Sequence, residues 1–398
     1  MAAVLARTLI PFLVDLARNR RRADPDFGHA TWVIGHSPGT LINARRIPAL
    51  GLGTRLNDAH AWRIDYVTTD TEKRTLTTTG AVFRSNNPWS GPGPRPTIAF
   101  APSTQGVAPH CDPSFSSTVG LQFRGDFDFI AAYEQPVINY FVALGAHVVI
   151  TDYPRDPEDN VQLYCDHIAA SHALADAVRA ATHLGVGHEN LGFWGFSQGG
   201  GAVGALVEQP EYAPDLQPQA AVVGAPPADL VATLNHVDGG LATVVIAYAV
   251  AGLAALGPEV RAEVDSVLND HGRALLGAAA DVCVSGAARR VTRQATAAWT
   301  KSGRPLAELL DDLSLTSEIL DERRLGSRRP LIPVRLWGSI NDDIVPYPSV
   351  VELADAWGVD LHTRRMPRIP GRQALNHFLP YFQHVISDAQ WLMGRLGR

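Results

Sequence analysis

The sequence predicts an α/β fold with a mostly parallel central sheet into which a helical segment is inserted, and three observations carry that reading. First, from residue 97 onward short apolar runs alternate with longer helical patterns: TIAFA at 97–101, AHVVI at 146–150, LGFWGF at 191–196, AAVV at 220–223 and VRLW at 334–337. Runs without polar alternation suit parallel strands, because crossover helices cover both faces of such a sheet. Second, the third run passes directly into the turn SQGGG at 197–201 and then AVGALVEQ, a small-residue helix able to pack closely on the sheet. Third, residues 229–326 break the rhythm, being almost entirely helix-compatible and placed between two strands.

Taken in order, residues 1–30 form an N-terminal segment. Its apolar stretch, MAAVLARTLIPFLVDLA, is interrupted by Arg7 and Asp15 and followed by RNRRR at 18–22. A signal peptide places its charges ahead of an unbroken apolar core, so this segment reads as an amphipathic helix with a solvated end. WRIDY at 62–66 and residues 76–83 alternate in polarity, which predicts a strand pair with one wet face. Residues 31–228 and 327–398 then form the α/β core, and 229–326 the helical insert, or cap. Within it, GGLATVVIAYAVAGLAALG at 239–257 holds nineteen residues without a charge. That length permits a membrane span, but its glycines and its place between strands favour a buried helix or helical hairpin.

Composition narrows the function classes. The chain has 398 residues, 46% hydrophobic and 19% charged, with a net charge of −6 and no long basic run, so a nucleic-acid partner is not expected. Cys111, Cys165 and Cys283 lack CxxC spacing, so no metal site is expected, and they allow at most one bridge with one free thiol. No cofactor is called for.

The chemistry centres on Gly195-Phe196-Ser197-Gln198-Gly199, the G-x-S-x-G form of a nucleophile elbow, with a strand before it and a helix after it. A serine hydroxyl needs a histidine to take its proton and a carboxylate to orient that histidine. In α/β-hydrolases these follow the serine in the order acid, then histidine. After VRLWGS come Asp342 and Asp343; the spacing Asp342-x-x-Val345-Pro346 prefers Asp342. Of the later histidines, His362 falls in the last strand pattern and His384 in the terminal helix pattern, whereas His377 is expected in a loop between them, where a base must stand. The oxyanion needs backbone donors: the Gln198 amide is one, acting through its amide and not its side chain. The second is expected in the loop after TIAFA, where Pro102 has no N–H, from Ser103 first and Thr104 second.

The chain resembles the secretory lipase family, over most of its length from about Pro38. PGTLINARRI at 38–47 resembles the family's early PGT-L-R-x-R segment, and STQG at 103–106 with HCDPSF at 110–115 is similar to its strand-end loop and C-x-P-S motif. VVITDYP at 148–154 resembles V-V-x-x-D-Y-x-G, with Arg155 in place of the usual glycine. Residues 239–258 are similar to the family's helical lid and DDIVPY at 342–347 to its acid loop. The resemblance implies a Ser197–Asp342–His377 triad that hydrolyses carboxylic esters, including acylglycerols, through an acyl-enzyme. It also implies a Cys111–Cys283 bridge with Cys165 free, structural roles for Asp152 and Tyr153, and secretion, with a cytoplasmic protein as the alternative; transient contact with a lipid interface and no stable membrane span are expected. Two other functions use the same scaffold. An acyltransferase would pass the acyl group to another acceptor, and an inert binding protein would have lost a triad member, which this chain has not.

Overall fold

The computed structural model describes residues 2–17, 28–125, 127–291, 293–371 and 374–397. The basic run at 18–22 lies outside them. Eleven strands are described: β1 (Leu41–Arg46), β2 (Ala59–Thr69), β3 (Thr75–Ser85), β4 (Thr97–Ala101), β5 (Leu121–Gly125), β6 (Asp128–Ala131), β7 (His147–Thr151), β8 (Leu191–Phe196), β9 (Pro218–Gly224), β10 (Val334–Ser339) and β11 (Leu361–Arg364). Nine of them form one sheet in the order β1-β2-β3-β7-β4-β8-β9-β10-β11, while β5 and β6 pair as a separate hairpin. From β7 to β11 every neighbouring pair is parallel, and β1, β2 and β3 extend the sheet antiparallel. All five apolar runs are therefore sheet strands. The topology is that of an α/β fold with a mostly parallel central sheet, as expected.

Helices before the long insertion are α1 (Ala2–Ala17), α2 (Pro113–Val119), α3 (Gln135–Ala143), α4 (His167–Ala181) and α5 (Gln198–Glu208). The insertion holds α6 (Leu230–Val237), α7 (Val244–Ala254), α8 (Pro258–Val267), α9 (Asp270–Ala280), α10 (Val284–Val291) and α11 (Ser314–Glu322), and the chain closes with α12 (Tyr347–Trp357) and α13 (Leu375–Met393). Strand periodicity divides the core between the two faces of the sheet. Phe100, Trp194, Phe196 and Trp337 pack toward α3 and α13, whereas Ala99, Phe193, Val223 and Leu336 pack toward α4, α5 and α12.

Helix α4 covers the apolar face of β2 and β3, where Ile64 and Val82 pack and where Tyr66 donates to Ala173 O at 2.9 Å and Thr68 to Asp176 at 2.8 Å. The opposite face carries Arg63, Asp65, Thr77 and Thr79, of which Asp65, Thr77 and Thr79 are half-buried. The edge strand β1, with four of its six residues exposed, is the wetter one.

Residues 229–326 leave and rejoin the core at one point, where Leu325 N donates to Ala228 O at 2.9 Å. Glu208 at the end of α5 clamps that junction, accepting from Gly326 N at 2.6 Å, Ser327 Oγ at 2.8 Å and Trp357 Nε1 at 2.5 Å. The uncharged stretch forms a short 3₁₀ turn and then α7, eleven residues and so about 16 Å long, well short of a bilayer core. No described helix is long and apolar enough to cross a membrane. A Cys111–Cys283 disulfide joins the β4-side loop to the insertion, and Cys165 is free.

Candidate active site

Ser197 sits where β8 turns into α5, with φ 57° and ψ −120°, a conformation that costs a non-glycine residue on the order of 1–3 kcal/mol. Backbone bonds hold it there: Ser197 N donates to Gly224 O at 2.9 Å and Gly201 N to Ser197 O at 3.0 Å. The glycines are demanded by close approach. A Cβ at Gly199 would lie 1.9 Å from Ala101 O, and one at Gly195 would lie 2.0 Å from Gly199 O. Because the Gln198 amide precedes the first intrahelical acceptor, it is left over from the helical ladder at the positive end of the helix dipole.

Asp342 follows β10. Its Oδ1 accepts from the amides of Ile344 and Val345, both at 2.9 Å, which fixes the carboxylate's orientation. His377 Nδ1 lies 2.8 Å from Asp342 Oδ2 and 3.0 Å from Oδ1. The imidazole is fully buried, and its ring stacks on Phe196, the residue before Ser197, with centroids 4.7 Å apart. Phe196 itself stacks on Tyr381 at 4.3 Å and Trp337 at 5.4 Å, so the ring that carries the histidine is wedged in the core. His377 Nε2 has no hydrogen-bond partner, so it and the Ser197 hydroxyl are not bonded to each other.

His377 was expected in a loop, but it occupies the first turn of α13. Ala374 at φ 60° turns the chain, and the Asn376 side chain pins the turn by accepting from Ile369 N at 2.8 Å and donating to Ile369 O at 3.0 Å. The same Asn376 amide donates to Asp343 at 3.0 Å, so Asp343 supports the turn while Asp342 meets the imidazole. His362 lies exposed on β11 and His384 lies two turns further along α13, neither bonded to Asp342.

The loop after β4 requires a correction. Ser103 N donates to Glu134 Oε2 at 2.8 Å, so the preferred second oxyanion donor is already committed to a buried carboxylate. The Thr104 amide has no such acceptor among the described residues. The Gln198 side chain also has a partner role: Thr104 Oγ1 donates to its Oε1 at 3.2 Å, and its Nε2 donates to Gln162 at 3.2 Å. Since the one Thr104 hydroxyl proton is used there, Tyr164 must donate to Thr104 Oγ1, at 2.7 Å. Tyr133 donates to Thr104 O at 2.7 Å and Tyr153 to Pro102 O. Asp152 accepts from Ser114 N at 2.8 Å and Thr79 Oγ1 at 2.6 Å, a support for the start of α2. Burial pushes the Glu134 carboxyl up to about 7.

Glu134, Tyr133 and Tyr164 carry no sequence signal. Each is a single polar residue in otherwise ordinary context, brought to the loop by the fold.

A cavity of about 390 Å³ opens over Ser197, Gln198 and Thr104. The insertion supplies most of its wall, including Leu234, Val245, Ala249, Leu253 and Leu310. Cys165 also lines it, but burial pushes its thiol up, away from the reactive thiolate. The one cluster of potential metal ligands among the described residues, His110, Cys111 and Cys283, has both sulfurs tied in the disulfide. A hydroxyl, a buried imidazole–carboxylate pair and unspent backbone amides beside an apolar cavity form an arrangement suited to acyl chemistry.

Comparison with known proteins agrees in fold. The sequence profile of the secretory lipase family matches residues 121–396. A probable inactive lipase of Mycobacterium tuberculosis is 26% identical over 330 residues, covering 80% of this chain and 70% of the relative. A secreted triacylglycerol lipase of Malassezia furfur is 22% identical over 329 residues, 80% of this chain and 64% of the relative. Among solved structures, Candida antarctica lipase A in its closed state matches with a TM-score of 0.75 and 20% identity, over 92% of this chain and 86% of that one. The cell-wall-degrading esterase LipA of Xanthomonas oryzae matches with a TM-score of 0.68 and 15% identity, over 90% and 99%.

Proposed function

The chain belongs to the secretory lipase family, and from that premise we propose that it is a serine carboxylic-ester hydrolase acting on esters with apolar acyl chains, acylglycerols among them. The observation that carries this reading is the His377–Asp342 pair, bonded at 2.8 Å and stacked against the residue that precedes Ser197. With Nδ1–H held by Asp342, Nε2 is the basic nitrogen. It takes the Ser197 proton as the hydroxyl attacks the ester carbonyl and returns it to the leaving alcohol. The Gln198 and Thr104 amides receive the oxyanion, and water then releases the acid by the reverse route. The serine and imidazole come into hydrogen-bond contact when substrate binds, a tightening common at such sites.

Residues 229–326 act as a cap whose apolar wall holds the acyl chain. The disulfide, and the relative named as secreted, support an oxidising, exported setting.

The test is an ester panel of graded acyl length on the wild type and Ser197→Ala. Loss of about 10⁶-fold in kcat is expected for the variant, together with loss of labelling by a fluorophosphonate. Equal activity in both would overturn the mechanism. One observation favours an inert binding protein instead, the relative named a probable inactive lipase. That reading requires a wild type that neither hydrolyses any ester of the panel nor takes the label. Adding a competing alcohol separates an acyltransferase, which would form the new ester in preference to the acid.

A further inference from the structure

The β5–β6 hairpin points the wrong residues at water. Its register pairs Phe123 with Phe129 and Gln122 with Ile130, so Phe123 and Phe129 share one face with Leu121, two residues along, while Ile130 shares the other. Ile130 is buried against Cys111 and Phe115, and the Phe123–Phe129 face is turned to solvent. Phe123 is 67% exposed and Phe127, next to the turn, 60%. A contiguous aromatic surface of this kind on a soluble chain marks an interaction site.

We propose that this hairpin docks the protein on an anionic lipid–water interface. Two observations choose that occupant. The hairpin is continuous with the substrate entrance, because Phe129 lines the cavity over Ser197 and its backbone is bonded on both sides to Ser285, another lining residue. A molecule resting on this face therefore delivers its apolar chains to the cavity mouth. The charges beside the aromatics are net basic: Arg124 is exposed on β5, 3.6 Å from the buried carboxylate of Asp128, the Arg289 guanidinium lies 4.2 Å from the Phe127 ring centroid with Arg290 next to it, and against these three arginines the sequence sets Asp126 and Asp128. Aromatic rings with flanking arginines are the pairing that seats a surface element among anionic headgroups. The inference rests on the reading of the cavity as the acyl site, but its test does not need catalysis.

Binding is measured with the Ser197→Ala protein and sucrose-loaded vesicles of phosphatidylcholine, with and without phosphatidylglycerol. The parent is expected to sediment with the vesicles, more strongly when phosphatidylglycerol is present. Adding Phe123→Ser and Phe127→Ser, neither of which lines the cavity, should weaken partitioning by about tenfold or more. The same two changes in the Ser197 background should leave hydrolysis of a water-soluble short ester unchanged, which also reports an intact fold. Arg124→Gln with Arg289→Gln should abolish the preference for phosphatidylglycerol. The proposal fails if the parent binds neither vesicle, or if the phenylalanine variant binds as the parent does. It fails too if Leu9→Ser with Leu13→Ser on α1 removes binding instead, or if sizing shows the parent as a dimer that the phenylalanine changes split. A failure of the Ser197 mechanism would appear in the ester panel and would leave vesicle binding intact.

Discussion

The elbow at the end of β8 and the helical wall facing it are built on opposite terms. At the elbow, backbone meets backbone, and a single methyl group at Gly199 would fall 1.9 Å from Ala101 O. Across the cavity, the insertion presents Leu234, Val245, Ala249 and Leu253, side chains of several sizes around open space. The first region tolerates no added atom; the second differs from it in having room to vary. The proposed chemistry is thus set where packing is rigid, and the choice of acyl chain where it is permissive.

The sharpest way to break this contrast is Asp342→Asn. The amide oxygen would stay with the Ile344 and Val345 N–H groups, leaving the NH₂ to face His377 Nδ1. That forces the proton onto Nε2, the nitrogen that must be basic, and kcat should fall by about 10⁴-fold with little change in fold. Steady-state kinetics beside a thermal melt would check both halves. Loss of fold instead of rate would mean that the pair is structural.

Ala249→Phe tests the permissive side. Filling the cavity from α7 should lower kcat/KM for long-chain esters by about 10- to 100-fold and leave short-chain esters near wild type, since removing room for a few methylenes carries roughly that discrimination. Equal losses on both would show that α7 positions the catalytic groups and does not select the chain.

Glu134→Gln should have the smallest effect, and one that depends on pH. Burial holds the Glu134 carboxyl at about 7, above its ordinary 4.5. Between those values the unfolded chain has lost this proton and the folded protein keeps it, so the stabilising contribution is complete below about 4.5 and is lost as pH rises to about 7. Glutamine still accepts from Ser103 N and cannot ionise. The variant's melting temperature should therefore gain on wild type across that window, by on the order of a few degrees, and level off above it. A difference that does not vary with pH would remove Glu134 from the titration of this loop.

What the chain makes legible follows the same division. The parallel strands, the elbow and the order of serine, acid and histidine are local patterns, because a buried strand must be apolar throughout and a strained turn must be small. Ser197, Asp342 and His377 could be named from such patterns and the family resemblance, and the fold brings Asp342 and His377 into contact beside the elbow. The loop after β4 was not legible in the same way. Which amide remains there for an oxyanion depends on Glu134, thirty-one residues later, and the loop is held besides by its neighbour Tyr133 and by Tyr164 from a further segment.

By itself, then, the sequence determined the sheet, the elbow and the chemical types placed at its edge, since each is written in the spacing of neighbouring residues. Tertiary structure alone decided that Ser103 is spent and Thr104 is not, that the Gln198 side chain braces the loop, and that three phenylalanines of one hairpin face water. Those outcomes turn on which polar group finds which partner across long stretches of chain, and no local period records such meetings.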